Sequence, residues 1–80
     1  MTWEDIEGKL TKEFEFKNFT EAIEFVNKIT LIAEKNNHHP DILIHSYKKV
    51  KIMLFTHSEN KITEKDYVIS REIDELLKIS

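Results

Sequence analysis

The chain has 80 residues, 40% hydrophobic and 34% charged, with a net charge of −3, one Gly, one Pro and no Cys. This length predicts a single small domain over residues 1–80, and the apolar content argues for a packed fold rather than a disordered chain. The acidic balance gives no basic patch for nucleic acid, and no apolar run approaches the roughly 20 residues of a membrane span. The absence of cysteine excludes a disulfide framework and a thiolate site, so a cytoplasmic location is expected.

Two strands are predicted first, over residues 3–6 and 9–16, on either side of Glu7-Gly8. The second, "KLTKEFEF", places Leu10, Phe14 and Phe16 on one face, with charged or polar residues between them. This alternation is typical of a half-buried strand.

A helix is predicted next, from about Phe19 to Asn36. Asn18 stands three residues before Glu21, which is the spacing of an N-cap residue and its N3 partner. Apolar residues then recur at helical spacing: Phe19, Ala22, Ile23, Val26, Ile29, Ile32 and Ala33. The helix cannot continue through Pro40, because the residue before a proline is disfavoured in the α region.

A second strand pair and a second helix complete the chain. Residues 41–47 and 49–57 are the predicted strands, and Val50, Ile52 and Leu54 form one apolar face. Thr63 and Asp66 offer a second capping pair, followed by an amphipathic stripe of Val68, Ile69, Ile73, Leu76 and Leu77. The order β-β-α-β-β-α predicts an α+β fold, a four-stranded antiparallel sheet with both helices packed on one face.

The chain's candidate chemistry lies in its four histidines: His38, His39, His45 and His57. The first two stand in "NNHHPD", directly after the predicted helix. Each histidine could be a solvated loop or strand-end residue. Two or three imidazoles in one pocket could instead donate and accept protons near neutral pH.

Two other kinds of site are poorly supported by the sequence. A structural zinc site needs four ligands, and adjacent histidines rarely turn both rings to one ion without strain. Ser46 and Ser58 each follow a histidine, but no nucleophile-elbow glycines surround them. General acid–base chemistry therefore remains the preferred hypothesis.

The run "AEKNNHHPDILIHSYKKVKIMLFTHSENKITEKD" resembles the signature of the pterin-4a-carbinolamine dehydratase family. Its series is Glu34, His38-His39-Pro40, Tyr47, His57 and Asp66, with intervals of three, six, nine and eight residues that the family pattern allows. Upstream, "FEFKNFTEAIEFV" is similar to the family's phenylalanine-rich passage from strand to helix. The resemblance covers residues 3–77.

This resemblance implies dehydration of 4a-hydroxytetrahydropterin (4a-hydroxytetrahydrobiopterin) to quinonoid dihydropterin, in tetrahydrobiopterin recycling. It implies His38, His39 and His57 as catalytic residues, with Glu34, Pro40 and Asp66 in substrate binding or in orienting an imidazole. It also implies that the chemistry needs no metal and no bound cofactor.

Simpler roles for four residues stay open. Asp66 could be only a capping carboxylate, and Glu34 only a solvated residue of the last helical turn. Tyr47 is interpreted as a packing aromatic, and His45 as an exposed strand residue.

Two turns depart from the family pattern. Between Pro40 and Tyr47 the chain uses the longer of the two spacings that the pattern permits, and the extra residue near His45-Ser46 predicts a bulge or a longer hairpin turn. Asn60 stands where glycine is frequent, which predicts a positive φ at a residue type that tolerates it.

Self-association into a homodimer or homotetramer is also expected. The core is small, edge strands invite pairing, and Phe25 and Ile32 exceed what one apolar helix stripe needs. The alternative function is a non-catalytic protein-binding or dimerisation module on the same fold, which would have no physical need for three histidines in one place.

Overall fold

Two β-hairpins, each followed by a helix, make up the computed structural model, which describes residues 2–78. The strands are β1 (Glu4–Ile6), β2 (Lys9–Glu15), β3 (Asp41–His45) and β4 (Lys49–Leu54), and the helices are α1 (Phe19–Asn36) and α2 (Glu64–Lys78). The predicted order is confirmed, although the second hairpin has shorter strands than predicted. Residues 1, 79 and 80 of the predicted domain lie outside the described residues. Neither described helix is long and apolar enough to cross a membrane.

The four strands form one antiparallel sheet in the order β1-β2-β4-β3. The central pair aligns Leu10 with Leu54 and Phe14 with Val50, so both predicted apolar faces lie on the same side of the sheet. The short β1 and the strand β3 are the edges.

The core lies between this face and both helices, which confirms the predicted α+β architecture. Its sheet residues are Leu10, Phe14, Val50, Ile52 and Leu54, and its helix residues are Ala22, Phe25, Ile29, Ile32, Ile69 and Ile73. Phe16 is partly buried and its ring packs against Phe25, with 4.8 Å between centroids. Both helices therefore occupy one face and leave the other face of the sheet uncovered by them.

The burial of Phe25 and Ile32 overturns one argument for self-association. They are only 4% and 8% exposed, because they fill the core of the single chain. The inference that these two side chains exceed the needs of one stripe, and so point to an interface, is wrong. The large apolar residues that α1 does leave exposed are Phe19 and Leu31.

The start of α1 is capped as predicted. The Asn18 Oδ1 atom accepts a hydrogen bond from the Glu21 backbone N–H at 2.9 Å. The Glu21 carboxylate in turn accepts from the Lys17 backbone N–H at 3.1 Å. Two otherwise unpaired backbone donors at this end are thus satisfied by side chains.

A polar cluster ties the start of the chain to its last helix. The Trp3 indole N–H lies 3.2 Å from both carboxylate oxygens of Asp74 on α2. The Lys12 ammonium of β2 forms a 2.9 Å ion pair with the same carboxylate, and it lies over the Phe14 ring. This cluster fixes the first hairpin against α2.

The turns agree with the sequence in two cases. A three-residue turn over 46–48 joins β3 to β4, with Ser46 and Tyr47 at φ 52° and 54°, so a longer hairpin turn is confirmed. Asn60 has φ 58°, also as predicted.

Two side chains near the first of these turns do not behave as predicted. Tyr47 is 61% exposed on the turn and is not a packing aromatic. The His45 side chain is 36% exposed, and its Nε2 atom lies 2.7 Å from the Glu13 carboxylate on β2.

Candidate active site

Three segments of the chain meet at one end of the molecule and form a cleft of about 280 Å³. They are the turn after α1, the segment after β4 and the first turn of α2. The lining side chains are Asn37, His38, His39, Phe55, Thr56, His57, Ser58 and Lys65. His38, His39 and His57 therefore lie around one space, although His57 is distant in sequence from the other two.

The end of α1 sets the position of the first two histidines. Asn37 is left-handed, with φ 50°, and its N–H bonds the Glu34 carbonyl at 3.3 Å. The next N–H, of His38, bonds the Ala33 carbonyl at 3.1 Å. This pair of bonds is a Schellman motif, which stops the helix before Pro40 is reached. Pro40 then keeps His39 extended and leads into β3.

A contact with α2 braces the same end of α1. The Lys35 ammonium lies 2.5 Å from the Glu72 carboxylate, and the Asn36 side-chain amide donates to that carboxylate at 3.1 Å. The hydrogen bond from Lys35 holds the pKa of Glu72 below its usual value, against the opposing effect of burial. The turn that bears the histidines is thus anchored to the second helix.

His38 is held by a buried carboxylate. Its Nε2 atom lies 2.6 Å from Asp66 Oδ1, and the two side chains are only 13% and 0% exposed. A carboxylate accepts hydrogen bonds and does not donate them, so Nε2 carries the proton of this bond. The other ring nitrogen, Nδ1, is left available for chemistry.

The second oxygen of Asp66 is also fully engaged. It accepts from the Thr63 backbone N–H at 2.9 Å and from the Thr56 hydroxyl at 2.8 Å. The Thr56 and Thr63 hydroxyl oxygens are 2.7 Å apart, and the single Thr56 proton is directed to Asp66, so Thr63 donates to Thr56. Asp66 is therefore the N3 residue of a capping box and the partner of His38 at once, and the two predicted roles coexist.

His39 is held in a different way. Its Nε2 atom lies 2.6 Å from Glu34 Oε2, with the two side chains 59% and 68% exposed. An ion pair that is this accessible to water contributes little to stability. Glu34 and the half-buried Pro40 do not line the cleft; Glu34 contacts His39, and Pro40 follows it in the chain.

His57 directly follows Thr56, which pairs with Lys61 across the loop between β4 and α2. Thr56 donates its backbone N–H to the Lys61 carbonyl at 3.1 Å, and the chain turns over 57–60. The exposed His57 ring packs edge-on against Phe55, with 5.2 Å between centroids. Its imidazole is thus oriented by an aromatic ring, whereas the other two are oriented by carboxylates.

Sequence reasoning missed several of the lining residues. Phe55, Thr56 and Lys65 had no assigned role, and Ser58 was considered only as a nucleophile. The spacing of Thr63 and Asp66 did predict the cap. No sequence pattern, however, links Thr56 to that cap, because their contact depends on how β4 meets α2. Within residues 2–78, no three His, Cys, Asp or Glu side chains group as metal ligands would.

Comparisons with known proteins agree on one family. The model of the family described as "Pterin 4 alpha carbinolamine dehydratase" matches residues 1–76. A Sulfolobus acidocaldarius protein named "Putative pterin-4-alpha-carbinolamine dehydratase" is 45% identical over 74 residues, which cover 92% of this chain and 80% of that protein. A Picosynechococcus protein of the same name is 46% identical over 74 residues, 92% of this chain and 79% of its own.

Two solved structures share the fold. A transcriptional coactivator/pterin dehydratase from Brucella melitensis superposes with a TM-score of 0.83 at 37% identity, covering 91% of this chain and 79% of that one. A pterin dehydratase-like protein identified as a RuBisCO assembly factor in the alpha-carboxysome gives a TM-score of 0.79 at 20% identity, covering 95% and 89%. At that identity the second likeness concerns the fold alone.

Proposed function

The chain belongs to the pterin 4 alpha carbinolamine dehydratase family, and from this premise we propose that it converts a 4a-hydroxytetrahydropterin into the quinonoid dihydropterin and water. The observation that supports this most strongly is the cleft shared by His38, His39 and His57. One imidazole there has a fixed tautomer, and another is exposed to water.

The reaction needs one base and one acid. The C4a–O bond breaks, the N5–H proton leaves, a C4a=N5 double bond forms, and the departing hydroxyl takes up a proton to become water. Both proton transfers fall within the range of imidazoles near neutral pH.

His38 is the proposed base at N5. Because its Nε2–H donates to Asp66, a neutral His38 presents an unprotonated Nδ1. Asp66 is a positioning residue, since it acts on substrate only through His38, and it also stabilises the imidazolium that forms on proton uptake.

His57 is the proposed acid at the C4a hydroxyl. Its ring is exposed, so it can recover a proton from water after each turnover. The contact with Phe55 limits the directions in which the ring can point.

His39, with Glu34 behind it, is the proposed contact that holds the pterin ring. Adjacent side chains seldom serve the same atom, so His39 acts more on binding than on proton transfer. Pro40 supports this role by restricting the backbone of His39.

A direct assay tests the proposal. Purified protein should accelerate the decay of the 4a-carbinolamine absorbance, and added chelator should leave the rate unchanged because imidazole protons suffice. A protein that leaves the decay at its spontaneous rate would refute the dehydratase proposal and favour the non-catalytic binding module.

The wider setting is part of the same proposal. We place the activity in tetrahydrobiopterin recycling in the cytoplasm, by a homodimer or homotetramer. The exposed edge strand β3, with Leu43 pointing outward, supports self-association. Light scattering that reports a 9.6 kDa monomer at micromolar concentration would contradict the oligomer.

A further inference from the structure

Two threonine hydroxyls form a hydrogen-bond chain that ends on Asp66. The Lys65 backbone N–H, in the first turn of α2, lies 3.3 Å from Thr63 Oγ1. The Thr63 and Thr56 hydroxyl oxygens are 2.7 Å apart, and Thr56 Oγ1 lies 2.8 Å from Asp66 Oδ2. The chain therefore runs from the start of α2 to the oxygen of Asp66 that His38 does not contact.

The number of protons gives this chain one direction. An ionised carboxylate only accepts, so the single Thr56 hydroxyl proton goes to Asp66, and Thr63 supplies the proton between the two hydroxyls. The Thr63 oxygen in turn accepts from the Lys65 N–H. Every donor in the chain is thus directed toward Asp66.

The Thr56 hydroxyl acts on Asp66 and not on a molecule in the cleft. Thr56 borders the histidine cleft, yet it is only 2% exposed. Its one hydroxyl proton is used by Asp66, and its oxygen accepts from Thr63. A hydroxyl in this state has no proton to offer a substrate.

The bond from Thr56 affects the form in which Asp66 meets His38. Hydrogen bonds that a carboxylate accepts favour its ionised form, whereas burial favours its neutral form. An ionised Asp66 can only accept, so the proton of a neutral His38 ring stays on Nε2. A neutral Asp66 would donate to Nε2 instead, and the ring proton would then lie on Nδ1. That is the nitrogen that the proposed reaction needs unprotonated.

We infer that Thr56 is a positioning residue for the proposed base: its hydroxyl holds Asp66 as an acceptor and thereby fixes the Nε2–H tautomer of His38. The inference rests on the proposed function, because His38 is the base only there. Thr63 has a different part. Its hydroxyl donates to Thr56 and not to Asp66, so its loss leaves the bond between Thr56 and Asp66 in place.

Three variants separate this positioning role from the support of α2. Thr56→Val keeps nearly the same shape and lacks the hydroxyl, whereas Thr56→Ser keeps the hydroxyl. Thr63→Val is the matched control, because it removes the hydroxyl that caps α2 but leaves the Thr56 proton directed at Asp66. The Thr63 backbone N–H, 2.9 Å from Asp66 Oδ2, is present in all three. Thermal melts followed by circular dichroism show that each variant has folded.

The first measurement observes the His38 tautomer directly. Long-range proton–nitrogen NMR spectra of the imidazoles, recorded across a pH series and assigned with His38→Ala, distinguish Nε2–H from Nδ1–H. When the ring is neutral, the wild type, Thr56→Ser and Thr63→Val should show His38 as Nε2–H. Thr56→Val should show a mixture that contains the Nδ1–H form, and Asp66→Asn provides the reference spectrum for that form.

The second measurement is of kcat and KM with a 4a-carbinolamine substrate. Thr56→Val should lower kcat about 10-fold, which corresponds to one lost hydrogen bond to a charged group. Its KM should change little, because the hydroxyl does not face the substrate. Thr56→Ser should recover most of the lost kcat. Thr63→Val should keep the kcat of the wild type while melting at a lower temperature, because it loses only the cap.

The outcomes separate the inference from the proposed function. A Thr56→Val protein with the wild-type tautomer of His38 and the wild-type kcat would overturn the inference and leave the dehydratase proposal intact. Equal changes of the tautomer in Thr56→Val and Thr63→Val would also overturn it, because they would indicate a general loosening of the cap. If the wild type turns over no carbinolamine, the proposed function fails, and the NMR comparison still decides whether Thr56 fixes the tautomer of His38.

Discussion

His38 and His39 are adjacent in sequence, each lies 2.6 Å from a carboxylate, and yet their surroundings are opposite. The His38–Asp66 pair is enclosed by the cap of α2, and Asp66 accepts two further hydrogen bonds. The His39–Glu34 pair stands in water at the end of α1. Equal distances therefore do not imply equal roles, because burial decides whether a carboxylate can fix one orientation and one tautomer of its imidazole.

The largest effects should come from replacing the histidines themselves. His38→Ala and His57→Ala should each lower kcat by about 10²–10⁴-fold, the usual loss for a general acid or base. His39→Ala should raise KM at least as much as it lowers kcat. His45→Ala is the control, since His45 also pairs with a carboxylate but lies at the far end of β3.

Steady-state kinetics on the four proteins would check this ranking. Identical kinetic profiles for His38→Ala and His39→Ala would remove the functional distinction between the two pairs. Wild-type turnover in both His38→Ala and His57→Ala would contradict the proposed mechanism.

The next largest effect on kcat should distinguish the Asp66 carboxylate from the Glu34 carboxylate. In Asp66→Asn the amide oxygen can still accept from Thr56 and Thr63, which leaves the amide NH₂ facing His38 Nε2. That arrangement moves the imidazole proton to Nδ1, so kcat should fall about 10²-fold, a smaller loss than the roughly 10⁴-fold that a wrong tautomer costs a serine protease triad. KM should change little, because Asp66 does not line the cleft.

Glu34→Gln is the matched comparison, and it should change kcat less than threefold. Steady-state kinetics across a pH series would measure both variants. An Asp66→Asn enzyme with the kcat and pH profile of the wild type would show that the buried carboxylate serves only the helix cap.

The free energy of unfolding should also respond differently to the loss of the Asp66 and Glu34 carboxylates. Asp66→Ala leaves the Thr56 hydroxyl and the Thr63 N–H without their acceptor, which should cost about 1–3 kcal/mol of the free energy of unfolding. Glu34→Ala removes an exposed partner and should change that free energy by less than about 0.5 kcal/mol. Urea unfolding monitored by circular dichroism measures both, and equal losses would contradict the contrast.

The smallest effect concerns the ion pair between Lys35 and Glu72, which anchors the end of α1 to α2. Because the folded-state pKa of Glu72 is lowered, its ion pair with Lys35 stabilises the fold at neutral pH, and this contribution disappears as the pH falls below about 4.5. Glu72→Gln should therefore reduce the free energy of unfolding by about 0.2–1 kcal/mol at pH 7. The difference should shrink toward pH 3.

Glu75→Gln on the same helix provides the control, because its ion pair with Lys78 is more exposed. Urea titrations at both pH values provide the measurement. A Glu72→Gln deficit that grows on acidification would have the wrong sign for a lowered pKa.

The sequence was a good guide to the fold where patterns are local. Alternation in "KLTKEFEF", the Asn18–Glu21 cap and the positive φ of Asn60 depend on neighbouring residues, and all three agree with the structure. The interface prediction for Phe25 and Ile32 was wrong because the sequence of one helix does not show how wide an apolar stripe the sheet and the other helix will cover. Only the family resemblance predicted that the three histidines share one site, because no local spacing pattern places His57 beside the end of α1.

The support around the histidines was beyond sequence reasoning for the same reason. Thr56 reaches Asp66 only because β4 ends beside the start of α2. Phe55 lines the histidine cleft, whose walls come from three separate parts of the chain.

The bond between Trp3 and Asp74 gives the molecule an intrinsic optical reporter. It joins residues 71 positions apart, and Trp3 is the chain's single tryptophan. Indole emission should therefore change when the first hairpin and the last helix meet, whereas circular dichroism follows helix formation. Stopped-flow traces recorded with both probes would coincide if folding is all-or-none, and fluorescence would lag if the helices form before the chain ends come together.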